Sequence, residues 1–104
     1  MNSILWRRGL RVTIDKNAND VRRWLLSGWV EGAVLASAVV TVVAPPDPAF
    51  LAVIETVGAD YVDVRITPSG VAVGGIYAVM VAPTITSPAL RVDNFTVEFL
   101  VVDQ

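Results

Sequence analysis

Short runs in which apolar and polar residues alternate are the feature that most constrains how this chain folds. In residues 10–15, Leu10, Val12 and Ile14 occupy alternate positions, with polar side chains between them. Residues 91–102 show the same period of two. Successive side chains of a β-strand point to opposite faces, so this period predicts strands with one buried face. Twenty valines strengthen the prediction, because branched side chains favour strands.

Proline and glycine divide these runs into about seven short strands. Residues 45–48 hold three prolines, which lack the N–H group that a sheet requires, and therefore predict a stiff loop. Residues 58–60, 68–70 and 74–75 are further turn signals. We predict an all-β fold, an immunoglobulin-like β-sandwich of about seven short, mainly antiparallel strands.

The length of 104 residues fits one domain. We assign residues 10–104 to a single β-sandwich and residues 1–9 to a basic N-terminal arm. Deletion of this arm is expected to leave the sandwich folded and to prevent assembly.

Three segments carry more specific expectations. Residues 20–26 fit either a strand or one helical turn with Asp20 as its N-cap, and we favour the strand. Residues 35–43 carry apolar side chains at both alternating sets of positions, with Ser37 and Thr41 on one of them, which predicts a strand buried on both faces. Pro83 is expected to close the strand that begins at Ile76.

The aromatic residues are assigned mainly to the core. We place Phe95 and Phe99 on the core face of the last strand, and Trp29 in the core in preference to a surface anchor. Tyr61 is predicted to point outward.

The residue types used most often in catalysis and metal binding are missing. The chain has no His and no Cys, which removes the usual general base, thiol nucleophile and transition-metal ligands. Asp60 and Asp63 offer too few oxygens for calcium, and residues 70–75 lack the Lys-Ser/Thr pair of a phosphate-binding loop. We expect no enzyme activity, no cofactor and no metal site. A small hydrolase that uses two of the ten acidic residues stays an alternative.

Two long uncharged stretches raise the question of a membrane protein. Residues 66–90 contain prolines and glycines that would repeatedly interrupt a helix in lipid. Residues 32–46 are shorter than the roughly 20 residues of a spanning helix. A small membrane protein such as a holin is therefore the least favoured alternative. The first residues also lack the apolar region of a secretory signal.

Charge is divided unevenly along the chain. Six basic and two acidic residues give the first 23 positions a charge of +4, whereas the remainder carries −6. Opposed blocks of this kind allow the basic segment of one copy to meet the acidic face of another, although an ordinary solvated surface is equally compatible. The sequence pI of about 4.8 argues against nucleic acid as a partner.

The basic segment also contains the residues that we select as a candidate interface. Arginine and tryptophan are enriched among the residues that dominate binding energy in protein interfaces. The predicted interface residues are Trp6, Arg7, Arg8, Arg11, Arg22 and Arg23.

The order of several segments resembles that of the small fibre-to-tail adaptor proteins of tailed bacteriophages. The matching segments are residues 10–15, the tryptophan-bearing residues 20–29, residues 32–42, residues 75–81 and residues 93–99. The loop at residues 45–48 and the arginine-rich start have no counterpart in that family's pattern.

The resemblance implies a virion structural protein with an immunoglobulin-like fold. Such a protein is made in the bacterial cytoplasm and assembles as several copies in a ring on the tail. There it docks receptor-binding fibres or spikes onto the tail tube or nozzle, with no catalytic residues to carry over. The main alternative is a soluble binding module, of the carbohydrate-binding or capsid-decoration type.

Overall fold

Two β-sheets packed face to face form the body of the protein. The computed structural model describes residues 2–45 and 47–103. Pro46, in the predicted loop, and Met1 and Gln104, at the ends of the predicted arm and sandwich, lie outside the described residues. The elements are β1 (Asn2–Leu5), β2 (Arg11–Asp15), β3 (Asp20–Leu25), α1 (Ser27–Val30), β4 (Ser37–Ala44), β5 (Leu51–Val57), β6 (Tyr61–Thr67), β7 (Ile76–Ile85), β8 (Arg91–Val92) and β9 (Phe95–Val102).

Each sheet contains both parallel and antiparallel strand pairs. The first sheet has the order β1-β3-β6-β5, and the second has the order β2-β9-β7-β4, with β8 paired to β7. The pairs β1–β3 and β2–β9 are parallel, whereas the other strand pairs are antiparallel. The predicted all-β sandwich of mainly antiparallel strands is confirmed, and Asp20–Leu25 is a strand, as favoured.

The core lies between the inward faces of the two sheets. Trp24 and Val64 of the first sheet are fully buried, as are Val79, Val97 and Phe99 of the second. In β7 and β9 every second residue is buried, which is the period that the sequence displays. Burial of this apolar area is the main free-energy term that holds the sheets together.

The N-terminal residues differ from the predicted arm. Residues 2–5 form β1, which pairs with β3, and Ile4 is buried in the core. Trp6 is half-buried and packs against the core as well. The sandwich therefore begins at residue 2, and deletion of residues 1–9 would remove an edge strand together with part of the core.

The prediction that residues 35–43 are buried on both faces is wrong. They contribute to β4, which lies at the edge of the second sheet and pairs with β7. Its outward residues are exposed, with Val39 at 62% and Val43 at 51% of full exposure. The sequence pattern is that of a central strand, but no strand or helix among the described residues covers this face.

Pro83 does not close a strand, since β7 continues through it to Ile85. Val101 donates its N–H to Gly75, so the odd-numbered residues of β7 direct their backbone groups toward β9. The ring nitrogen of Pro83 faces this same side, where Asp93 and Asn94 separate β8 from β9, the two strands that pair with β7 there. No hydrogen bond is lost there, so the proline is tolerated.

The proline-containing loop between β4 and β5 is fastened to β7 by aromatic stacking. The rings of Phe50 and Tyr77 lie 4.3 Å apart and 7° from parallel. The Tyr77 hydroxyl donates a hydrogen bond to Asp47 Oδ2 at 3.1 Å. Burial raises the pKa of Tyr77 above its ordinary value, and the hydrogen bond to Asp47 raises it further.

The raised pKa of Tyr77 predicts a loss of stability in alkaline solution. The folded state favours the neutral phenol, so this stabilisation is fully present below about pH 10, where the unfolded side chain ionises, and is lost as the pH rises through the higher folded pKa. We expect the free energy of unfolding in urea to fall more steeply above pH 10 for the native chain than for Tyr77→Phe, which keeps the stacked ring. Identical pH profiles for the two proteins would contradict this.

Candidate interaction surface

Three surface clefts and the exposed apolar side chains of Leu5, Val34 and Leu90 lie at one end of the sandwich. This is the end at which β1, β3 and β7 finish and β4, β6 and β9 begin, and we call it the cleft end. Backbone hydrogen bonds join its loops, from Leu26 N–H to Asp60 and from Leu35 N–H to Ala59, each at 2.9 Å. The two sheets therefore present one continuous loop surface here.

An aromatic cleft of 280 Å³ opens at this end. The Phe95 ring forms its floor, and Trp6 and Trp29 stand nearly perpendicular to that ring with centroids 5.0 and 5.7 Å away. Leu5, at the cleft, is 74% exposed. The lining residues of the aromatic cleft are Leu5, Trp6, Leu25, Leu26, Gly28, Trp29 and Phe95.

Local geometry holds the two tryptophans in place. The indole N–H of Trp6 donates to the carbonyl oxygen of Thr96 at 2.9 Å. Trp29 lies in the one-turn helix α1, and the Arg91 guanidinium sits 5.0 Å from its ring centroid while donating to the carbonyl oxygen of Val30 at 3.0 Å. Trp29 is half-buried and packs against the core, so it is both a core contact and a cleft wall.

Two further clefts follow the C-terminal end of α1 and share Gly32, Ala33 and Pro88 as lining residues. One, of 490 Å³, is lined by residues 30–33 together with Pro88, Ala89 and Arg91. The other, of 520 Å³, is lined by residues 32–36 and 86–88. Leu90 is 71% exposed on the loop that borders them. Exposed apolar residues that cluster in this way are typical of protein contact surfaces.

The six predicted interface residues do not form one surface. Trp6 lies in the aromatic cleft, and Arg7 and Arg8 are exposed in the turn that follows it. Arg11 lies on the outer face of the second sheet, where its Nη2 atom is 2.9 Å from Glu98 Oε1. Arg22 and Arg23 lie elsewhere, on opposite faces of β3.

Arg23 is held on the outer face of the first sheet by two partners. Its Nε and Nη2 atoms donate to the two carboxylate oxygens of Asp63, at 2.8 and 3.1 Å, and its guanidinium lies 3.9 Å from the centroid of the Tyr61 ring. The hydrogen bond to Asp63 raises the pKa of Arg23. Asp63 is only 4% exposed because these groups cover it. The guanidinium of Arg23 is thus already paired with a carboxylate of the same chain.

Arg22 has a different role, since its side chain crosses between the sheets. Leu10 accepts a backbone hydrogen bond from Glu98, and Lys16 donates one to Val102, so the even-numbered residues of β2 face β9. The carbonyl of Thr13 consequently lies on the open edge of β2, where Arg22 Nη2 donates to it at 3.3 Å. Arg22 therefore closes an edge of the sandwich.

The outer faces of the two sheets differ in chemistry. The first carries ion pairs, including one between Arg65 and Glu55 as well as that of Arg23. On the second, β7 and β4 present no charged side chain, and the outward residues of the two central strands are largely apolar. Those of β7 and β9 include Ile76, Ala78, Met80, Ala82 and Leu100.

Several residues of the cleft end were not singled out from the sequence. Leu5, Leu25 and Arg91 join the cleft end through contacts between distant parts of the chain. Leu5 carried one usable signal, because it is an apolar residue next to the Trp6-Arg7-Arg8 triplet. Tyr61, predicted to point outward, does lie on the outer face, but the Arg23 guanidinium stacks on its ring.

Neither a metal-binding group nor a similarity to known proteins identifies a function for this surface. Among residues 2–45 and 47–103, no group of three or more acidic side chains is placed to hold a metal ion. No helix in this part of the chain has the length and apolar character needed to cross a membrane. No protein-family model matches the chain, and comparisons with curated proteins and with solved structures give no significant match.

The Trp6 hydrogen bond predicts a specific stability loss. Trp6→Phe keeps an aromatic ring against Phe95 but leaves the Thr96 carbonyl without its donor, so we expect the free energy of unfolding to fall by about 1 kcal/mol. The neighbouring change Leu5→Ala removes an exposed side chain and should stay within about 0.5 kcal/mol of the native value. Urea titration of both variants measures this. Equal stability of Trp6→Phe and the native chain would show that the bond contributes nothing.

Proposed function

We propose that this chain is a virion structural protein, an adaptor that joins other proteins of a phage tail by assembly without catalysis. The observation that carries the proposal is the convergence of three clefts and the exposed side chains of Leu5, Val34 and Leu90 at one end of the sandwich. The resemblance of segment order to fibre-to-tail adaptors supplies the assignment to a tail.

The aromatic cleft is the proposed docking point for a partner. Trp6, Trp29 and Phe95 provide rigid apolar walls, and Leu5 extends that surface outward. Rigid aromatic groups contribute contact area at low cost in conformational entropy, and tryptophan is enriched where binding energy concentrates. An apolar side chain of the partner enters this cleft.

Arg7 and Arg8 give the docking point its charge preference. Both side chains are exposed in the turn after Trp6, and no ion pair holds either of them within the described part of the chain. Charged groups at the rim of an interface mainly increase the association rate and select partners of opposite charge. The partner surface beside the apolar side chain is therefore acidic.

An adaptor also needs a second contact surface that differs from the first. The outer face of the second sheet is apolar and carries its ion pair, Arg11 with Glu98, on the side of β2 and β9. The outer face of the first sheet is covered by ion pairs. The proposal assigns the cleft end to one virion protein, such as a fibre or spike, and leaves the second sheet for neighbours in the tail ring.

A carbohydrate-binding role receives less support from the aromatic side chains. A sugar platform requires exposed ring faces. Tyr77 is buried beside Phe50, and the rings of Tyr61 and Trp29 are each approached by an arginine guanidinium. We therefore do not propose this function.

The proposal predicts that a charge in the aromatic cleft blocks incorporation into particles. Leu5→Asp places a carboxylate among apolar walls that a partner must desolvate. Val73→Asp is the matched control, because Val73 is 53% exposed beside Gly74, which bonds to Val101 at the opposite end of the sandwich. Each variant replaces the native gene in the phage that encodes the chain, and the purified particles are analysed by mass spectrometry.

We expect native and Val73→Asp particles to contain the chain and Leu5→Asp particles to lack either the chain or the proteins attached through it. Thermal melts of both purified variants should match that of the native protein. Native particles without the chain would overturn the proposal of a virion protein. Normal composition of Leu5→Asp particles would overturn the assignment of the docking point.

A further inference from the structure

We infer that strand β4 is a self-association edge, through which two copies of this chain pair antiparallel about a two-fold axis. The paired strands would join the second sheets of both copies into one continuous sheet. This inference does not rest on the proposed function, since it uses neither the aromatic cleft nor the resemblance to phage adaptors.

The first argument is that β4 lacks the protection that the other three edge strands have. β1 has four residues, and the open edge of β2 is capped at Thr13 by Arg22. β5 has an irregular register next to Glu55, a charged residue. Short length, side-chain caps, bulges and charges are the devices by which proteins prevent edge strands from pairing with other chains.

β4, by contrast, offers a long and uncharged edge. Its eight residues, Ser37–Ala44, contain no charged residue and no proline, and its irregularity lies at the far end, between Val42 and Ala44. Val39 is 62% exposed on this strand. A strand with these properties is a template for pairing with another strand.

The hydrogen-bond pattern shows which backbone groups are available. The odd-numbered residues of β7 face β9, so its even-numbered residues face β4. Met80 and Ala82 pair with Thr41 and Val39. The backbone N–H and C=O groups of these two β4 residues are therefore hydrogen-bonded to β7. The N–H and C=O groups of Ala38, Val40 and Val42 point to the open side.

This pattern is compatible with pairing between two identical strands. A two-fold axis at Val40 places Val40 opposite its copy and Ala38 opposite Val42 of the second chain, which satisfies both sets of open groups. On the outer face, Val39 then lies opposite Thr41 of the second chain. Because the strand is uncharged, no like charges meet, and the facing side chains are small or β-branched, as is favourable across strands.

The experiment compares two double substitutions that introduce the same charge on different edges. Val39→Lys with Thr41→Lys places lysines directly opposite one another across the inferred seam. Leu51→Lys with Val53→Lys is the control on β5, where the replaced side chains are 49% and 56% exposed and also point outward. Sedimentation equilibrium of each purified full chain over a range of concentrations gives its mass, relative to 11.2 kDa for one copy.

We expect the native chain and the β5 variant to approach twice the chain mass with the same dissociation constant. The β4 lysine variant should dissociate at least about tenfold more readily, because lysine on an edge opposes strand pairing. Mixing it with Val39→Glu, Thr41→Glu chains should restore dimers, since the inferred register places each lysine opposite a glutamate. Circular dichroism confirms that the variants remain folded.

Three results would overturn the inference. The first is a native chain that stays monomeric at all concentrations, which would leave the edge for a different protein. The second is a β5 variant that dissociates as readily as the β4 variant. The third is failure of the lysine and glutamate chains to associate when mixed.

Discussion

Closure of the sandwich on one side by side chains that cross between the sheets is the feature on which the rest of the structure depends. Arg22 of the first sheet donates to the open edge of β2, and Trp6 donates to Thr96 at the start of β9. Both bonds satisfy carbonyl groups that would otherwise lack partners, which fixes β1 against the core. The opposite side, formed by β4 and β5, has no such bond among the described residues, and it is there that we place the inferred pairing of two copies.

The alternating pattern was sufficient to predict several strands and their inward faces, among them β2, β6 and β9. Phe95 and Phe99 occupy the core as expected, because a period of two reports burial directly. The position of a strand within its sheet could not be obtained in this way. Residues 35–43 have the composition of a central strand, yet β4 is an edge, since edge position depends on which distant strands pair with it.

The candidate interface was only partly predictable for a related reason. Arg23 and Asp63 are 40 positions apart, and no local pattern reveals that one neutralises the other. Arg7 and Arg8 do lie beside Trp6 on the surface, as adjacent residues must. We propose two contact surfaces, the cleft end for a partner protein and β4 for a second copy. Both are formed by residues that come together only in the folded chain.

The central claim is that the sandwich is closed on the side of β1 and β2 and has an open edge at β4. Amide hydrogen exchange, measured by NMR on the native chain at two concentrations, tests it most directly. In dilute solution we expect the N–H groups of Val40 and Val42 to exchange much faster than that of Val97, which lies in a paired strand at the centre of the core. At high concentration the β4 amides should become protected, while Val97 is unchanged. Strong protection of Val40 and Val42 in dilute monomer would contradict the account, because it would mean that β4 is not an open edge.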